Sequence, residues 1–216
     1  MALYTPHRRG FLMDYLNKMV ISLIGMSNAG KTTLAQKLTK YGFRYFSCDD
    51  FIAKKLYPNG IEVNEINNWL GYPFMKKYQE RANEYLLYEH KSLEKAISII
   101  KDDVSNLIID TTGSVIYHKQ SLLASIKNKS LVIHLTVDKS HIDALYKNYL
   151  QYPKPVIWGN SFHNLDPDPK KSLKKCYPRL LKFRLAKYKS FAHININNKK
   201  LLSDPSIIFN YSKYEI

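Results

Sequence analysis

The sequence has few cysteines and no long apolar run. These two features argue against a disulfide-rich, a zinc-binding and a membrane-spanning protein. Its two cysteines, Cys48 and Cys176, form no CxxC pair, so neither a disulfide framework nor a structural zinc site is expected. No stretch approaches the roughly 18 apolar residues that a membrane-spanning helix needs. The segment RRGFLM is similar to a twin-arginine export signal, but Asp14 and Lys18 interrupt the apolar stretch that such a signal requires. These features predict a cytoplasmic protein in a reducing compartment.

Acidic residues are also few, and the excess of positive charge is concentrated late in the chain. The sequence has 33 Lys or Arg against 18 Asp or Glu, and residues 151–216 hold thirteen of the basic residues against four acidic ones. A field of this sign attracts phosphate groups, nucleic acid or anionic membranes. A lysine-rich surface that is merely solvated is the alternative, so nucleic-acid binding by this basic third stays open.

Apolar runs of strand length alternate with segments of helical periodicity along most of the chain. The predicted strands are MVISLIG, FRYFSC, NLIID, LVIHLTV and AHINI. A long helix is predicted from Phe74 to about Lys101, and a basic helix from near Ser172 with a perturbation at Pro178. This alternation indicates an α/β fold of three layers, in which about five parallel strands are covered by helices on both faces.

The stretch GMSNAGKTT follows the first predicted strand and opens the next predicted helix. It matches the pattern G-x-x-x-x-G-K-[ST], whose glycines allow the backbone to point successive N–H groups at an anion. The positive end of the following helix faces the same point. Lys31 is expected to reach the β- and γ-phosphates as a catalytic residue, and Thr32 to bind Mg²⁺. The predicted ATP-binding residues of this phosphate loop are Gly25, Ser27, Asn28, Ala29, Gly30, Lys31, Thr32 and Thr33.

Asp110 ends the apolar run NLIID and is expected beside the phosphate loop. A carboxylate at the tip of a buried strand is the usual group that holds Mg²⁺ or its water in such proteins. Thr32 and Asp110 are therefore the predicted metal ligands, and Asp110 is also predicted to be catalytic. An ordinary turn residue at a strand end is the alternative interpretation of Asp110.

Two longer stretches make the sequence resemble the shikimate kinases, within the nucleoside-monophosphate-kinase-like group of P-loop kinases. LIGMSNAGKTTLAQKLTKYGFRYFSCDDFIAKKL is similar to the first third of that family. RLLKFRLAKYKSFAHINI is similar to the family's Arg-x-Pro-x-Tyr helix and last strand. A GTPase is disfavoured because no N-K-x-D motif follows a later strand. The resemblance implies a P-loop NTPase fold and Mg²⁺-dependent transfer of the γ-phosphate of ATP to a hydroxyl of a small molecule.

The resemblance also assigns residues of the acceptor side. Asp49 matches the aspartate that faces the acceptor hydroxyl and is the expected catalytic group, while Ser47 stands where the family has another aspartate. Asp50 is an additional carboxylate, for which capping the next helix is an equal alternative. The other substrate-binding residues that the resemblance implies are Thr111, Thr112, Gly113 and Arg184.

Two lysines stand where the family has arginines around its lid. Lys147 is expected to bind ATP, and Lys154 to act as a catalytic cation on the transferred group, with Arg179 as a further candidate. Lysine keeps the charge of arginine but lacks its two-pronged hydrogen-bonding geometry.

No internal repeat and no linker divide the chain. We expect one kinase domain over residues 19–197, preceded by an extension at 1–18 and followed by a tail at 198–216. Within the domain, the acceptor-binding region is expected at about 50–90 and a proline-rich lid at about 151–171.

Two other functions are compatible with the phosphate loop and the basic last third. One is a nucleotide or polynucleotide 5′-kinase, and the other is a non-enzymatic nucleic-acid-binding protein that uses the nucleotide as a switch. Both require nucleic acid or nucleotides as partners, and binding to nucleic acid would weaken steeply with salt.

We predict that shikimate is a poor substrate, because an arginine that the family uses is missing. The family has a Phe-Arg pair three residues before a glutamate, and aligning on Glu89 puts Tyr85 and Leu86 there, with only Arg81 one turn earlier. Losing one partner of a charged hydrogen bond costs a few kcal/mol, on the order of a hundredfold in affinity. Steady-state kinetics with shikimate as acceptor test this, and efficient turnover at micromolar shikimate would contradict it.

Overall fold

The computed structural model describes residues 19–57, 65–102, 106–138, 146, 147, 149, 151 and 155–211. Its strands are β1 (Val20–Ile24), β2 (Arg44–Ser47), β3 (Leu107–Asp110), β4 (Leu131–Thr136) and β5 (Ile194–Asn197). Its helices are α1 (Lys31–Thr39), α2 (Cys48–Leu56), α3 (Ile66–Leu70), α4 (Tyr78–Asp102), α5 (Gln120–Lys127), α6 (Pro169–Phe191) and α7 (Asn198–Ser203). Short 3-10 helices span Val115–Tyr117, Gly159–Ser161 and Pro205–Tyr211.

The five strands form one parallel sheet in the order β2-β3-β1-β4-β5. The central strand β1 is buried along its whole length, as its mostly apolar sequence predicts, and its one polar side chain, Ser22, contacts Ser130 Oγ at 2.6 Å. One apolar core packs α2, α4, α5 and α6 against the sheet, and a second packs α1, α7 and the 3-10 helix Pro205–Tyr211. The predicted three-layer α/β fold with five parallel strands is confirmed.

Local sequence explains where the two helices next to the phosphate loop begin. α1 begins after Gly30, whose φ of 92° lies in the left-handed region that favours glycine. α2 begins after Ser47, whose Oγ accepts the Asp50 N–H at 3.0 Å. Asp50 therefore does not cap this helix; it lies in the first turn, where its negative charge suits the positive helix end.

The long helix α4 begins at Tyr78 rather than at Phe74. The residues before it form turns instead, in which the Met75 N–H donates to Tyr72 O at 2.9 Å and the Tyr78 N–H donates to Met75 O at 3.0 Å. The rings of Tyr72 and Phe74 stack with their centroids 5.5 Å apart. Helical periodicity alone assigns Phe74 to the helix, but in the structure its ring packs on Tyr72 within these turns.

The basic helix α6 begins at Pro169 rather than near Ser172. The Asp168 side chain accepts the Lys170 N–H at 2.9 Å, and proline is suited to the first turn because the amides there have no partner within the helix. Pro178 lies within α6, which continues beyond it. The missing N–H of Pro178 removes one helical hydrogen bond without ending the helix.

The segment predicted as a lid is divided by the structure. Residues 152–154 lie outside the described residues, and α6 already includes residues 169–171. Between them Trp158 is fully buried, and its backbone N–H donates to the Tyr78 hydroxyl at 2.8 Å. The Tyr78 hydroxyl donates in turn to Val156 O at 2.9 Å. The middle of this segment is therefore anchored on α4, and its closure over a ligand stays a prediction.

Two other predicted segments fall largely or wholly outside the described residues. They are the extension at residues 1–18 and the stretch HIDALYKNYL, for which helical periodicity also predicts a helix. Among the helices that the structure describes, none combines the length and the apolar character needed to cross a bilayer.

Residues 198–211, in which the sequence shows no clear pattern, pack against α1. Ile208 is fully buried in the core that contains α1, and the ring of Phe209 lies 6.1 Å from that of Phe43 between centroids. Lys37 Nζ donates to Leu202 O at 2.6 Å. These contacts attach α7 and the following 3-10 helix to the face of the domain that carries the phosphate loop.

We predict that Ile208→Ala lowers the free energy of unfolding by about 2–4 kcal/mol, because it removes buried methyl groups and leaves a cavity. Leu87→Ala is the matched control, since Leu87 is 51% exposed on α4 and its truncation should change stability by less than about 0.5 kcal/mol. Urea unfolding followed by circular dichroism measures both. Equal stability of the two variants would show that residues 198–211 do not contribute to the core.

Candidate active site

The phosphate loop has the backbone shape that its sequence predicts. Gly25, Asn28 and Gly30 have positive φ values of 144°, 64° and 92°. A Cβ on Gly25 would lie 2.9 Å from Leu135 O, and a Cβ on Gly30 would lie 2.9 Å from Leu202 Cδ1. Gly25 therefore requires glycine for space as well as for conformation, because its neighbour is a backbone oxygen, whereas Gly30 requires glycine mainly for its left-handed conformation.

Lys31 holds its ammonium group inside this loop. Its side chain is only 8% exposed, and Nζ donates to the carbonyl oxygens of Gly25 and Met26 at 3.2 and 3.1 Å. A buried positive charge needs such partners. The ammonium is thus positioned at the start of α1, where the helix end also favours a negative group.

Thr32 and Asp110 lie in direct contact beside the loop. Thr32 Oγ1 donates to Asp110 Oδ2 at 2.6 Å, and the Tyr45 hydroxyl donates to the same oxygen at 3.2 Å. Burial raises the pKa of Asp110, while Lys31 and these hydrogen bonds oppose the rise. A hydroxyl and a carboxylate are oxygen ligands of the kind that Mg²⁺ prefers, with water and phosphate oxygens completing its shell. The pair therefore fits Mg²⁺, although the described residues contain no group of three or more His, Cys, Asp or Glu that could hold a metal by itself.

One cavity of about 430 Å³ joins the phosphate loop to the carboxylate of Asp49. Enclosure raises the pKa of Asp49 to about 6, an effect that Lys31 opposes and that Asp110 and Glu89 strengthen. The Tyr85 hydroxyl donates to Asp49 Oδ1 at 3.3 Å. The residues that line the cavity are Ser27, Asn28, Gly30, Lys31, Thr32, Thr33, Asp49, Tyr85, Thr112, Gly113 and Pro155.

A buried polar network lies behind the end of this cavity that Asp49 lines, which we call the acceptor end. Glu89 is fully buried, its Oε1 accepts from Ser114 Oγ at 2.9 Å, and its Oε2 lies 2.9 Å from His118 Nε2. Ser114 Oγ lies 3.0 Å from Thr112 Oγ1, which lines the cavity. Sequence reasoning did not assign a role to Ser114 or His118. A glutamate spaced four residues after Tyr85, on the apolar face of a long helix, is the signal that could have indicated a buried partner.

Solved structures provide the comparison for this arrangement. A shikimate kinase from Acinetobacter baumannii in complex with shikimate has a TM-score of 0.63 and 19% identity, with 94% of this chain and 99% of that chain covered. A shikimate kinase from Bacteroides thetaiotaomicron has a TM-score of 0.58 and 16% identity, covering 89% and 98%. One from Aquifex aeolicus has a TM-score of 0.55 and 14% identity, covering 92% and 100%. The chain has the shikimate kinase fold.

Sequence comparison reaches only part of the chain. The signal recognition particle 54 kDa protein of Methanococcus maripaludis is 32% identical over 123 residues, and that of Methanococcus vannielii is 29% identical over the same length. These matches cover 53% of this chain and 24% of each of those proteins, so the chain spans about a quarter of the curated relatives it matches. No family model matches the chain.

Arg184, on helix α6, lies beside the acceptor end of the cavity but does not line the cavity. Arg184 is 2% exposed and its Nη2 donates to Ile157 O at 2.7 Å. A Cβ on Gly113 would lie 3.2 Å from Arg184 Nη1, so glycine there allows the guanidinium to approach the backbone. The Tyr188 hydroxyl donates to Gly113 O. The structure thus places Arg184 next to Gly113, and their role in binding a substrate stays a prediction.

Several residues named from the sequence do not line the cavity. Thr111 is fully buried, and its Oγ1 donates to Leu23 O at 2.7 Å. This hydrogen bond stabilises the contact with β1. Ala29 and Gly25 shape the loop without lining the cavity. Lys147 is exposed and does not line the cavity, while Lys154 lies outside the described residues.

Two arginines considered from the sequence have other partners. The Arg81 guanidinium donates to Trp69 O and lies 6.0 Å from the centre of the Trp69 ring, so it does not replace the missing family arginine. Arg179 is exposed, and its Nη1 lies 2.9 Å from His163 Nε2. Neither residue lines the cavity.

We predict that the carboxyl of Asp49 titrates near pH 6, about two units above an ordinary aspartate. The ¹³C shift of the carboxyl, assigned by its loss in Asp49→Asn, measures this directly. Lys31→Ala should move the titration to still higher pH, because the ammonium favours the ionised form. A titration near pH 4 in the unsubstituted protein would show that the site is more solvated than its geometry indicates.

Proposed function

We propose that the chain is an ATP- and Mg²⁺-dependent kinase that transfers the γ-phosphate of ATP to a hydroxyl of a small molecule. One observation carries the proposal: a single cavity is lined both by the phosphate loop and by Asp49. A phosphate donor at the loop and a hydroxyl at the carboxylate would then share one enclosed space. The shikimate kinase fold supports this arrangement but does not identify the acceptor.

Each residue of the site has a role in this proposal. The amides of the loop and the Lys31 ammonium bind the phosphates and neutralise charge that develops on them. Asp49 accepts the proton of the acceptor hydroxyl. The oxygen of that hydroxyl forms a bond to the γ-phosphorus of ATP, while the bond between the γ-phosphorus and the oxygen that bridges it to the β-phosphate breaks. Because such a transfer needs little covalent chemistry from the protein, orientation within the cavity provides much of the acceleration.

Thr32 and Asp110 are the residues that would hold Mg²⁺. A bound Mg²⁺ would neutralise phosphate charge and orient the transferred group. The Tyr45 hydroxyl and Thr32 already fix the direction of Asp110 Oδ2 through the contacts at 3.2 and 2.6 Å. Lys147 and Lys154 remain proposed as cations near the lid, and ATP and Mg²⁺ as the ligands of the site.

A nucleotide or polynucleotide 5′-kinase and a nucleotide-switched nucleic-acid-binding protein are the competing functions. They rest on the basic last third of the chain, and α6 does present exposed lysines, including Lys174 and Lys182. ADP release measured with small hydroxyl compounds and with 5′-hydroxyl oligonucleotides separates them from the proposed function.

We predict that Asp49→Asn lowers kcat for phosphate transfer by about 10²–10⁴, because an amide cannot accept the hydroxyl proton. Asp50→Asn is the matched control: Asp50 is the next residue of the same helix turn, is exposed, and should leave kcat unchanged. ADP release in the presence of an acceptor provides the measurement. Equal loss in both variants, or full activity in Asp49→Asn, would remove Asp49 from the mechanism.

A further inference from the structure

The carboxylate of Asp49 lies among charges that act on it from several elements. Lys31 attracts it from α1, while Asp110 on β3 and Glu89 on α4 repel it. Interactions between charges that are enclosed together are strong. Attraction to Lys31 draws the carboxylate toward the phosphate loop and away from an acceptor. A carboxylate that has to take a proton in one direction therefore needs a further contact that holds it there.

The Tyr85 hydroxyl supplies this contact. It donates to Asp49 Oδ1 at 3.3 Å, and among the described residues it is the donor within hydrogen-bond distance of this carboxylate. The separation is longer than the roughly 2.7–2.8 Å typical of a hydroxyl donor, and bonds of catalytic groups often tighten once the substrate is bound. The bond engages Oδ1, so Oδ2 is the oxygen that can take the proton of an acceptor hydroxyl.

Tyr85 is itself held firmly, so its hydroxyl is a fixed point. The side chain is 2% exposed, and its ring belongs to the core that packs α2 and α4 against the sheet. Its hydroxyl also forms a hydrogen bond with the side chain of Thr112. The Ser114 N–H in turn donates to Thr112 Oγ1 at 3.1 Å. Packing on the ring and hydrogen bonds at the hydroxyl together restrict the rotamer of Tyr85.

The hydroxyl of Tyr85 is used differently from those of other buried tyrosines. The hydroxyls of Tyr78 and Tyr188 donate to backbone carbonyl oxygens, which is a structural use. Tyr85 donates to a side chain of the site, and among the described tyrosines it is the one that lines the cavity. A phenylalanine would fill the same space in the core without contacting Asp49. The ring therefore accounts for the packing, and the hydroxyl calls for a separate explanation.

We propose that Tyr85 is a positioning residue, whose hydroxyl holds the Asp49 carboxylate with one oxygen directed at the acceptor. Orientation of the reacting groups supplies much of the acceleration in a transfer of this kind. Asp49 takes the acceptor proton on Oδ2 while the Tyr85 hydroxyl stays bonded to Oδ1. This inference rests on the proposed function, because it concerns the base of the same transfer.

The first measurement does not depend on enzyme activity. The ¹³C shift of the Asp49 carboxyl is followed against pH in the unsubstituted protein and in Tyr85→Phe. Because the hydroxyl donates to the ionised carboxylate, its removal should move the titration to higher pH by about 0.5–1 pH units. Tyr88→Phe is the matched control. Tyr88 lies on the same helix and is half-buried, and its substitution should leave the titration unchanged.

The second measurement distinguishes positioning from a defect of packing. ADP release from MgATP is followed against pH with glycerol, D-glucose and shikimate, and the acceptor with the highest rate is used for the variants. At a pH at which Asp49 is ionised in both proteins, Tyr85→Phe should lower kcat by about tenfold, because the carboxylate is no longer oriented. The acid limb of kcat/KM should move to higher pH together with the carboxyl titration, and the KM for ATP should stay unchanged.

Each remaining outcome has a definite meaning. An unchanged titration of Asp49 in Tyr85→Phe, or an unchanged kcat and acid limb, would overturn the inference while the proposed function stands. An equal effect in Tyr88→Phe would also overturn it, because the effect would then come from the packing of α4. Acceptor-dependent ADP release with none of the three compounds, although ATP binds, would count against the proposed function. The carboxyl titration alone would then decide whether Tyr85 holds Asp49.

Discussion

Parallel pairing of β1, β3 and β2 is the constraint on which the candidate site depends. In this register Leu23 lies beside Asp110, and Asp110 lies beside Ser47, so three strands end at one edge of the sheet. The phosphate loop leaves from this edge, and α2 starts there with Asp49 in its first turn. A shift of one residue would turn alternate side chains to the other face and separate Thr32 from Asp110.

Charges that are enclosed together determine the electrostatics of this edge. Asp110 and Glu89 both raise the pKa of Asp49, while the Lys31 ammonium lowers it. Away from bulk water such interactions are stronger than on the surface. Lys31 therefore influences both ends of the cavity: it offers a positive charge to phosphates and keeps the acceptor carboxyl closer to its ionised form. Whatever neutralises Lys31 also changes the proton affinity of Asp49, so the two halves of the cavity are coupled.

Features that a local sequence pattern determines could be predicted from the sequence. Contacts between residues that are distant in the sequence could not. The five strands and the backbone of the loop, including Gly30, follow from short motifs and were predicted. Asp110 was placed correctly because it ends a buried strand. The hydrogen bond of the Thr111 hydroxyl to Leu23 O could not be deduced, because it depends on how two strands pack against each other. Nor could the contact of Glu89 with His118, which joins residues 29 positions apart.

The phosphate loop is encoded early in the chain but is shaped by residues that come much later. Leu135 O and Leu202 Cδ1 approach its glycines, and Asn198 Nδ2 donates to Ala29 O at 3.1 Å. During translation, a nascent chain that ends before Asn198 already contains the complete motif and Leu135, but it lacks the contacts that Asn198 and Leu202 make with the loop. Because a domain generally folds as a unit, we expect the loop to reach its final shape only after α7, which carries Asn198 and Leu202, has left the ribosome.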